Sequence, residues 1–92
     1  MAVEYVFTTQ LSDGWDGTYA NDAVRAIYQA YIGDGRITQP VDITEIGDGR
    51  HENRMTFRDR AAYDAWYAEI DAIDTTPPVG MSYIGSGTLV ES

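Results

Sequence analysis

His51 is the residue in this 92-residue chain best suited to acid–base chemistry, because it is the only histidine. A histidine becomes an effective base, or activates a nucleophile, only when a well-placed neighbour orients it. No serine or acid is spaced to serve as that neighbour, and Ser86 lacks the strand-to-helix turn of a nucleophile elbow. We therefore interpret His51 as a surface side chain at a hairpin end and expect that the protein is not an enzyme.

Aspartates in glycine-containing loops are the second group that could do chemistry, as oxygen ligands for Ca²⁺. They are Asp13, Asp16, Asp34 and Asp48. Their spacing lacks the pattern and the terminal bidentate glutamate of a calcium-binding loop, so turn chemistry is the preferred explanation and Ca²⁺ binding stays open. The absence of cysteine excludes thiolate nucleophiles and thiolate zinc sites. We predict no cofactor and no metal site.

Arginine is concentrated in one segment of an otherwise acidic chain. Arg50, Arg54 and Arg58 alternate along a predicted strand, whereas residues 61–92 contain five acids and no base. Alternation places these three side chains on one face, where they would form a charged docking surface for an acidic partner. The alternative is cross-strand ion pairing on a wet surface, which contributes little to stability.

Trp15 is the fourth predicted partner-binding residue. It lies in the loop sequence Ser12–Gly17, and a tryptophan flanked by Gly and Asp is typical of an interface anchor. Packing over a helix end explains it equally well. Trp66 and Tyr63 fall instead on the apolar stripe of a predicted helix, which indicates a place in the core.

Composition excludes several functional classes. Fifteen acids oppose six arginines, lysine is absent, and the net charge is −9, which argues against direct binding to nucleic acid. A GC-rich genome or a high-salt habitat accounts for this bias. No apolar run is long enough to span a membrane, and the N-terminus lacks the features of a signal peptide. We expect a soluble protein without membrane contact.

The first half of the chain predicts strand, helix and strand. Residues 2–9 alternate as a strand, and apolar spacing then predicts a helix capped by Thr18, running to about Ile32 and closed by Gly33. The segment from Ile37 to Ile46 reads as a strand. Its Pro40 lacks a ladder donor and indicates an edge position.

The second half predicts a hairpin, a helix and a last strand. Gly47-Asp48-Gly49 is a hairpin turn leading into a strand over 50–58. Asp59 then caps a helix whose apolar stripe extends to Ile73. After a double proline, residues 81–84 and 88–90 read as strand, interrupted at 85–87 by a bulge or a turn.

The predicted order is β-α-β-β-α-β in one domain, residues 1–92. This is the ferredoxin-like, or split βαβ, arrangement of the α+β class, with a four-stranded antiparallel sheet and two helices on one face. Such a sheet leaves its other face uncovered. The predicted arginines of the third strand would lie on that open face.

The preferred functional hypothesis is a non-enzymatic protein-interaction module. It would be a small subunit of a larger assembly, such as a viral one, or an acidic inhibitor of a cationic protein. A protein partner or a second copy would bind, in the cytoplasm or a virion. Small viral proteins often combine this size, acidity and lack of chemistry.

Two alternatives remain open. One is a mimic of nucleic acid that uses the same acidity. The other is a dimeric ferredoxin-like ligand binder or oxygenase, with an apolar cavity between sheet and helices. That cavity would require residues that the core itself also needs, namely Tyr5, Phe7, Met55, Tyr63, Trp66 and Met81.

Overall fold

The fold is an antiparallel sheet with two helices. The computed structural model describes residues 1–91. Its elements are β1 (Val3–Leu11), α1 (Asp22–Asp34), β2 (Ile37–Gly47), β3 (Arg50–Phe57), α2 (Arg60–Asp71) and β4 (Met81–Glu91). The strands are ordered β2-β3-β1-β4, and the helices contact each other as well as β2 and β3. The predicted α+β class is confirmed. Neither helix is long and apolar enough to cross a membrane.

Of the two central strands, β1 and β3, the strand β3 alternates between a buried face and a more exposed face. Val3 lies opposite Phe57 in the register, and both side chains are almost fully buried. Met55 and Asn53 are buried on the same face, whereas the intervening Arg54 is exposed. The predicted division of β3 into a charged face and a helix-facing face is therefore confirmed.

β2 lies at the edge of the sheet and pairs only with β3, as Pro40 indicated. The pairing register shifts between Gln39 and Asp42, on either side of that proline. A proline has no N–H to donate to the ladder, so it is tolerated where one side of the strand has no neighbour. The hairpin turn at Gly47–Gly49 is confirmed, and Asp48 adopts a positive φ of 56° there.

The predicted ends of α1 are wrong at both termini. Asn21 is the N-cap, because its side chain accepts a hydrogen bond from the Val24 N–H, whereas Thr18 is held in a turn by Asp16. At the C-terminus, Gly35 takes the left-handed conformation at φ 83° that was expected of Gly33. The turn between Asp16 and Thr18 delays the N-cap by three residues, from Thr18 to Asn21, and helix propensity alone does not reveal this delay.

α2 begins as predicted and carries the centre of the core. Asp59 caps it by accepting a hydrogen bond of 2.9 Å from the Ala62 N–H. Trp66 is 7% exposed and packs against Phe57. The helix ends at Asp71, before the Ile73 that the apolar stripe included. Its last turn contacts α1 through a hydrogen bond that the Tyr31 hydroxyl donates to the Glu69 carboxylate.

β4 is one continuous strand with an irregularity at residues 85–87. Val6 pairs with Thr88 and Thr8 pairs with Ile84, so Phe7 alone spans three residues of β4. The interruption is therefore a bulge and not a turn. A bulge of this kind bends the strand and disrupts the ladder locally, and it lies beside the site described next.

Candidate ligand-binding site

A cavity of about 480 Å³ lies between the sheet and the two helices. Every strand and both helices contribute side chains to it, together with the loop that precedes α1. Most of the lining is apolar. Six aromatic residues contribute to it, namely Tyr5, Phe7, Tyr19, Tyr28, Trp66 and Tyr83.

Aromatic rings of β1 and α2 form the inner wall. The rings of Tyr5 and Phe7 stack with centroids 5.4 Å apart, and the Tyr5 ring lies 5.7 Å from that of Trp66. Met55, on β3 directly opposite Tyr5, completes this wall. The alternation of β1 places Tyr5 and Phe7 on one face, and the helical stripe of α2 brings Trp66 onto them.

The bulge of β4 makes room for this wall. Gly87 lies so close to Tyr5 that a Cβ there would approach the Tyr5 ring to 2.2 Å. Only a residue without a side chain allows that approach. Tyr83, on the other side of the bulge, lies edge-on to Phe7 and also lines the cavity.

The loop before α1 forms another part of the lining, at residues 17–20. Trp15 positions this loop, because its indole Nε1–H donates a hydrogen bond of 2.6 Å to the Thr18 carbonyl and its ring packs on Tyr19. Asn21 anchors the loop to the segment after α2 by donating to the carbonyls of Asp74 and Thr76. Trp15, predicted as an interface anchor, thus packs within its own loop and is half-buried.

Few polar groups reach the cavity. Arg25 is the single charged side chain in the lining formed by residues 1–91, and it is paired with the exposed Asp22. Asn53 donates to the Phe7 carbonyl and to the Thr9 hydroxyl, and Tyr28 accepts from the Val41 N–H. These internal bonds hold the walls in place, so an apolar occupant would not leave those polar atoms unpaired.

Two tyrosines of the lining, Tyr5 and Tyr83, remain protonated near neutral pH. Burial raises the pKa of Tyr5, and its neighbour Tyr63 raises it further. Burial also raises the pKa of Tyr83. Both phenols therefore present neutral hydroxyl groups, and the aromatic wall carries no charge at physiological pH.

Among the lining residues, one buried side-chain polar atom has no hydrogen-bond partner in the described protein. It is the Nε1–H of Trp66, which is buried and meets no acceptor within residues 1–91. The second such atom in the described chain is His51 Nδ1, outside the cavity. A buried donor without an acceptor costs free energy, so such atoms are rare in folded proteins.

His51 is half-buried and not the surface side chain that was predicted. It lies opposite Thr9 on the helix-facing side of the sheet, with the Tyr19 ring centroid 6.4 Å away. Position in the strand explains the difference, since odd residues of β3 face the helices. No hydrogen-bonded base or nucleophile accompanies His51 among the described residues.

Arg50 and Arg54 lie on the opposite, open face of the sheet, whereas Arg58 follows β3, which ends at Phe57 and not at the predicted residue 58. Arg54 forms ion pairs with Glu4 across the strands and with Glu52 on its own strand, and its side chain is 46% exposed. Arg50 donates to the Gln10 amide oxygen, and Arg58 pairs with Asp59. Arg50 and Arg54 therefore share one face of β3, each bonded within the chain, in the arrangement expected of cross-strand pairing.

The loop aspartates are spread over the surface. Asp16 accepts from the hydroxyl and the N–H of Thr18, and these bonds lower the pKa of its carboxyl. Asp34 pairs with Arg36. Within residues 1–91, no three His, Cys, Asp or Glu side chains form a group that could hold a metal ion.

The sequence anticipated part of the cavity lining. Four of the six residues named for it contribute, namely Tyr5, Phe7, Met55 and Trp66. Tyr63 packs in the core against Phe57 instead, and Met81 is buried elsewhere. Neither the loop at 17–20 nor the glycines of the β4 bulge were predicted to line the cavity. Gly85 and Gly87 signalled the irregularity in the strand, but not its place beside a cavity.

No protein-family model, curated protein or solved structure matches this chain significantly. The geometry of the cavity and of the open sheet face therefore carries the functional argument.

Proposed function

We propose that this protein binds a small apolar molecule in the cavity between its sheet and helices. The observation that carries the proposal is the cavity itself, about 480 Å³ in volume and walled mainly by aromatic and aliphatic side chains. Sites for small molecules typically enclose roughly 300–1,000 Å³, with mostly apolar walls and few polar groups. Both the size and the lining fall in that class.

Packing supports the same proposal. Protein interiors are normally filled to the density of organic crystals, and unfilled space forfeits van der Waals contacts. A 92-residue domain has a small core, so a cavity of this size reduces its stability noticeably. Glycine at position 87 leaves room for the Tyr5 ring in the cavity wall. Trp15 fixes the loop that borders the cavity. Binding a ligand would return the lost contacts.

Two further statements belong to this proposal. The element order, the strand order and the contact between the helices support a ferredoxin-like arrangement.

We also propose that binding is not coupled to catalysis, because His51 lies outside the cavity lining. Substitution of His51 by alanine is then expected to leave ligand affinity unchanged.

Titration with the neutral fluorescent probe N-phenyl-1-naphthylamine tests the proposed function. The native protein should bind the probe and increase its fluorescence. Val24→Phe places a ring in the cavity and should weaken binding at least tenfold, whereas Ala26→Phe, on the exposed side of the same helix, should not. Absence of binding to the native protein, or equal binding to both variants, contradicts the proposal.

A protein-interaction module remains a second candidate, supported by the open sheet face. By their register with Glu4 and Thr8, the exposed Val90 and Ile84 lie on the same face as Arg54. Apolar side chains beside arginine are typical of protein interfaces. A second copy of the chain, or an acidic subunit of a larger cytoplasmic or virion assembly, would dock there.

A further inference from the structure

We infer that two copies of this chain associate through the outer edges of their β4 strands, which pair antiparallel and join the two sheets into one. The contact is the backbone edge of the sheet and not its open face. It does not depend on a ligand in the cavity. Three features of β4 support it, namely the backbone groups that face outward, the lack of charge along the strand and the exposed apolar side chains.

The two edges of the sheet differ in how their backbone is protected. On β2, Pro40 has no N–H, and the Val41 N–H donates to the Tyr28 hydroxyl at 2.9 Å. Two acidic side chains, Asp42 and Glu45, lie on the same strand. Proline, charge and capped backbone groups keep an edge strand from pairing with another chain. β4 has no proline, and its bulge at 85–87 interrupts the edge only in the middle.

The pairing of β4 with β1 leaves backbone groups of β4 facing outward. The Ser12 N–H donates to the Gly80 carbonyl, so the even-numbered residues of β1 turn their backbone groups toward β4. Tyr83 and Leu89 lie opposite odd-numbered residues of β1. Because bonded and non-bonded pairs alternate along an antiparallel ladder, Tyr83 and Leu89 turn their N–H and carbonyl groups away from β1. A further strand can bond to these groups.

The lack of charge in β4 identifies a second copy as the partner. Residues 75–90 are the longest stretch of this sequence without a charged side chain, in a chain of net charge −9. Glu91, which follows, is paired with Arg60 at 3.1 Å. Two copies of so acidic a chain repel each other over most of their surface, and they repel least where their uncharged strands meet. Because β2 is protected, the association closes at two copies.

Exposed apolar side chains are concentrated in the same segment. Val79, Tyr83, Ile84 and Val90 are four of the eight large apolar side chains that residues 1–91 expose. Ile84 and Val90 lie on one face of β4, on either side of the bulge. In antiparallel pairing about a two-fold axis at the bulge, Ile84 of each copy lies opposite Val90 of the other. Such apolar cross-strand pairs stabilise a sheet.

Amide hydrogen exchange of the native protein, measured by NMR at low and high protein concentration, tests this inference. The amide groups of Tyr83 and Leu89 should exchange at least tenfold more slowly at high concentration, because pairing protects them. Glu45 is the control, because its amide on β2 faces outward in phase with that of Val41 and should exchange equally at both concentrations. Sedimentation equilibrium should give twice the mass of the 10.2 kDa chain, at high salt as well as low salt.

Two variants add one negative charge to opposite edge strands. Ile84→Glu should raise the dissociation constant of the dimer at least tenfold, because the change occurs twice in a two-fold contact. Ile46→Glu, on β2 at a position that is 54% exposed, should leave it unchanged.

Three results would overturn the inference. The first is the mass of one chain at every concentration. The second is a dimer in which Tyr83 and Leu89 exchange as fast as in the monomer, and the third is a dimer that high salt dissociates. Either of the last two results would place the contact on the open sheet face, where arginine pairs with acids. Exchange in the native protein decides the question even if Ile84→Glu is poorly folded.

Discussion

Gly87 of β4 lies against the ring of Tyr5 on β1, at a distance that admits no Cβ. This contact couples the bulge of the edge strand to the inner wall of the cavity. Tyr5 stands between Gly87 and the aromatic cluster of Phe7 and Trp66. A methyl group at position 87 would displace the Tyr5 ring toward the cavity.

Gly87→Ala should therefore reduce both stability and ligand affinity. We expect the free energy of unfolding to fall by about 1–3 kcal/mol, as for other overpacked sites, and probe binding to weaken. Gly33→Ala is the control, because open space surrounds that helical glycine and alanine is the better helix former. Denaturant unfolding measures the first effect. An unchanged midpoint for Gly87→Ala would show that the close contact is absent.

Trp66 is expected to contribute heavily to the core. Trp66→Ala should cost roughly 3–5 kcal/mol of unfolding free energy, because it removes a large side chain that is 7% exposed. Tyr67→Ala, at a neighbouring position that is 52% exposed, should change stability by only about 0.5 kcal/mol. Similar losses in the two variants, measured by denaturant unfolding, would mean that the helix presents a different face to the sheet.

The contact between Tyr31 and Glu69 predicts an alkaline pH dependence. Burial raises the pKa of Tyr31 to about 12, and its hydrogen bond to Glu69 adds to the effect. In the unfolded chain this phenol titrates near ~10. Because folding raises this pKa, the Tyr31 hydroxyl contributes to the free energy of unfolding. That contribution is fully present below pH ~10 and is lost as pH rises through about 12.

Tyr31→Phe isolates this contribution. The difference in unfolding free energy between the native protein and Tyr31→Phe should shrink by about 2–3 kcal/mol between pH ~9 and ~12. Only the native protein has the Tyr31 hydroxyl, so only it loses that contribution. Urea midpoints at closely spaced pH values provide the measurement. A difference that stays constant over this interval would indicate that Tyr31 titrates normally.

The second candidate function predicts that the open sheet face mediates association. Reversal of Arg54 and Arg58 to glutamate should abolish self-association while changing the melting temperature little, because exposed ion pairs contribute little to stability. Reversal of Arg25 and Arg60, on the helices, changes the net charge equally and serves as the control. Sedimentation equilibrium at low and high salt measures the mass. Equal behaviour of the two double variants places any interface elsewhere.

Local patterns in the sequence predicted the elements well. The two-residue alternation of β1 and β3, the edge position of Pro40 and the cap at Asp59 all depend on neighbouring residues. The start of α1 was misplaced because Thr18 is recruited into an Asx turn with Asp16. That competition between turn and cap is decided by small differences in free energy.

The cavity depends on contacts between distant residues, and this is why the sequence revealed only a small part of its lining. Asn21 reaches Asp74 to hold the loop, and the bulge at 85–87 takes its place only when β4 pairs with β1. The apolar residues on β1 and α2 were recognisable as inward-facing. Whether they fill the interior or surround a space is decided by packing, which periodicity does not report.

The most direct test of the central claim is to locate a bound ligand by methyl NMR. On titration with 1-tetralone, the methyl signals of Met55, Val24 and Ile70 should shift, because these residues line the cavity. The methyl signals of Ile84 and Val90, exposed on the open sheet face, should stay in place. Shifts confined to Ile84 and Val90, with none at Met55, would contradict the account.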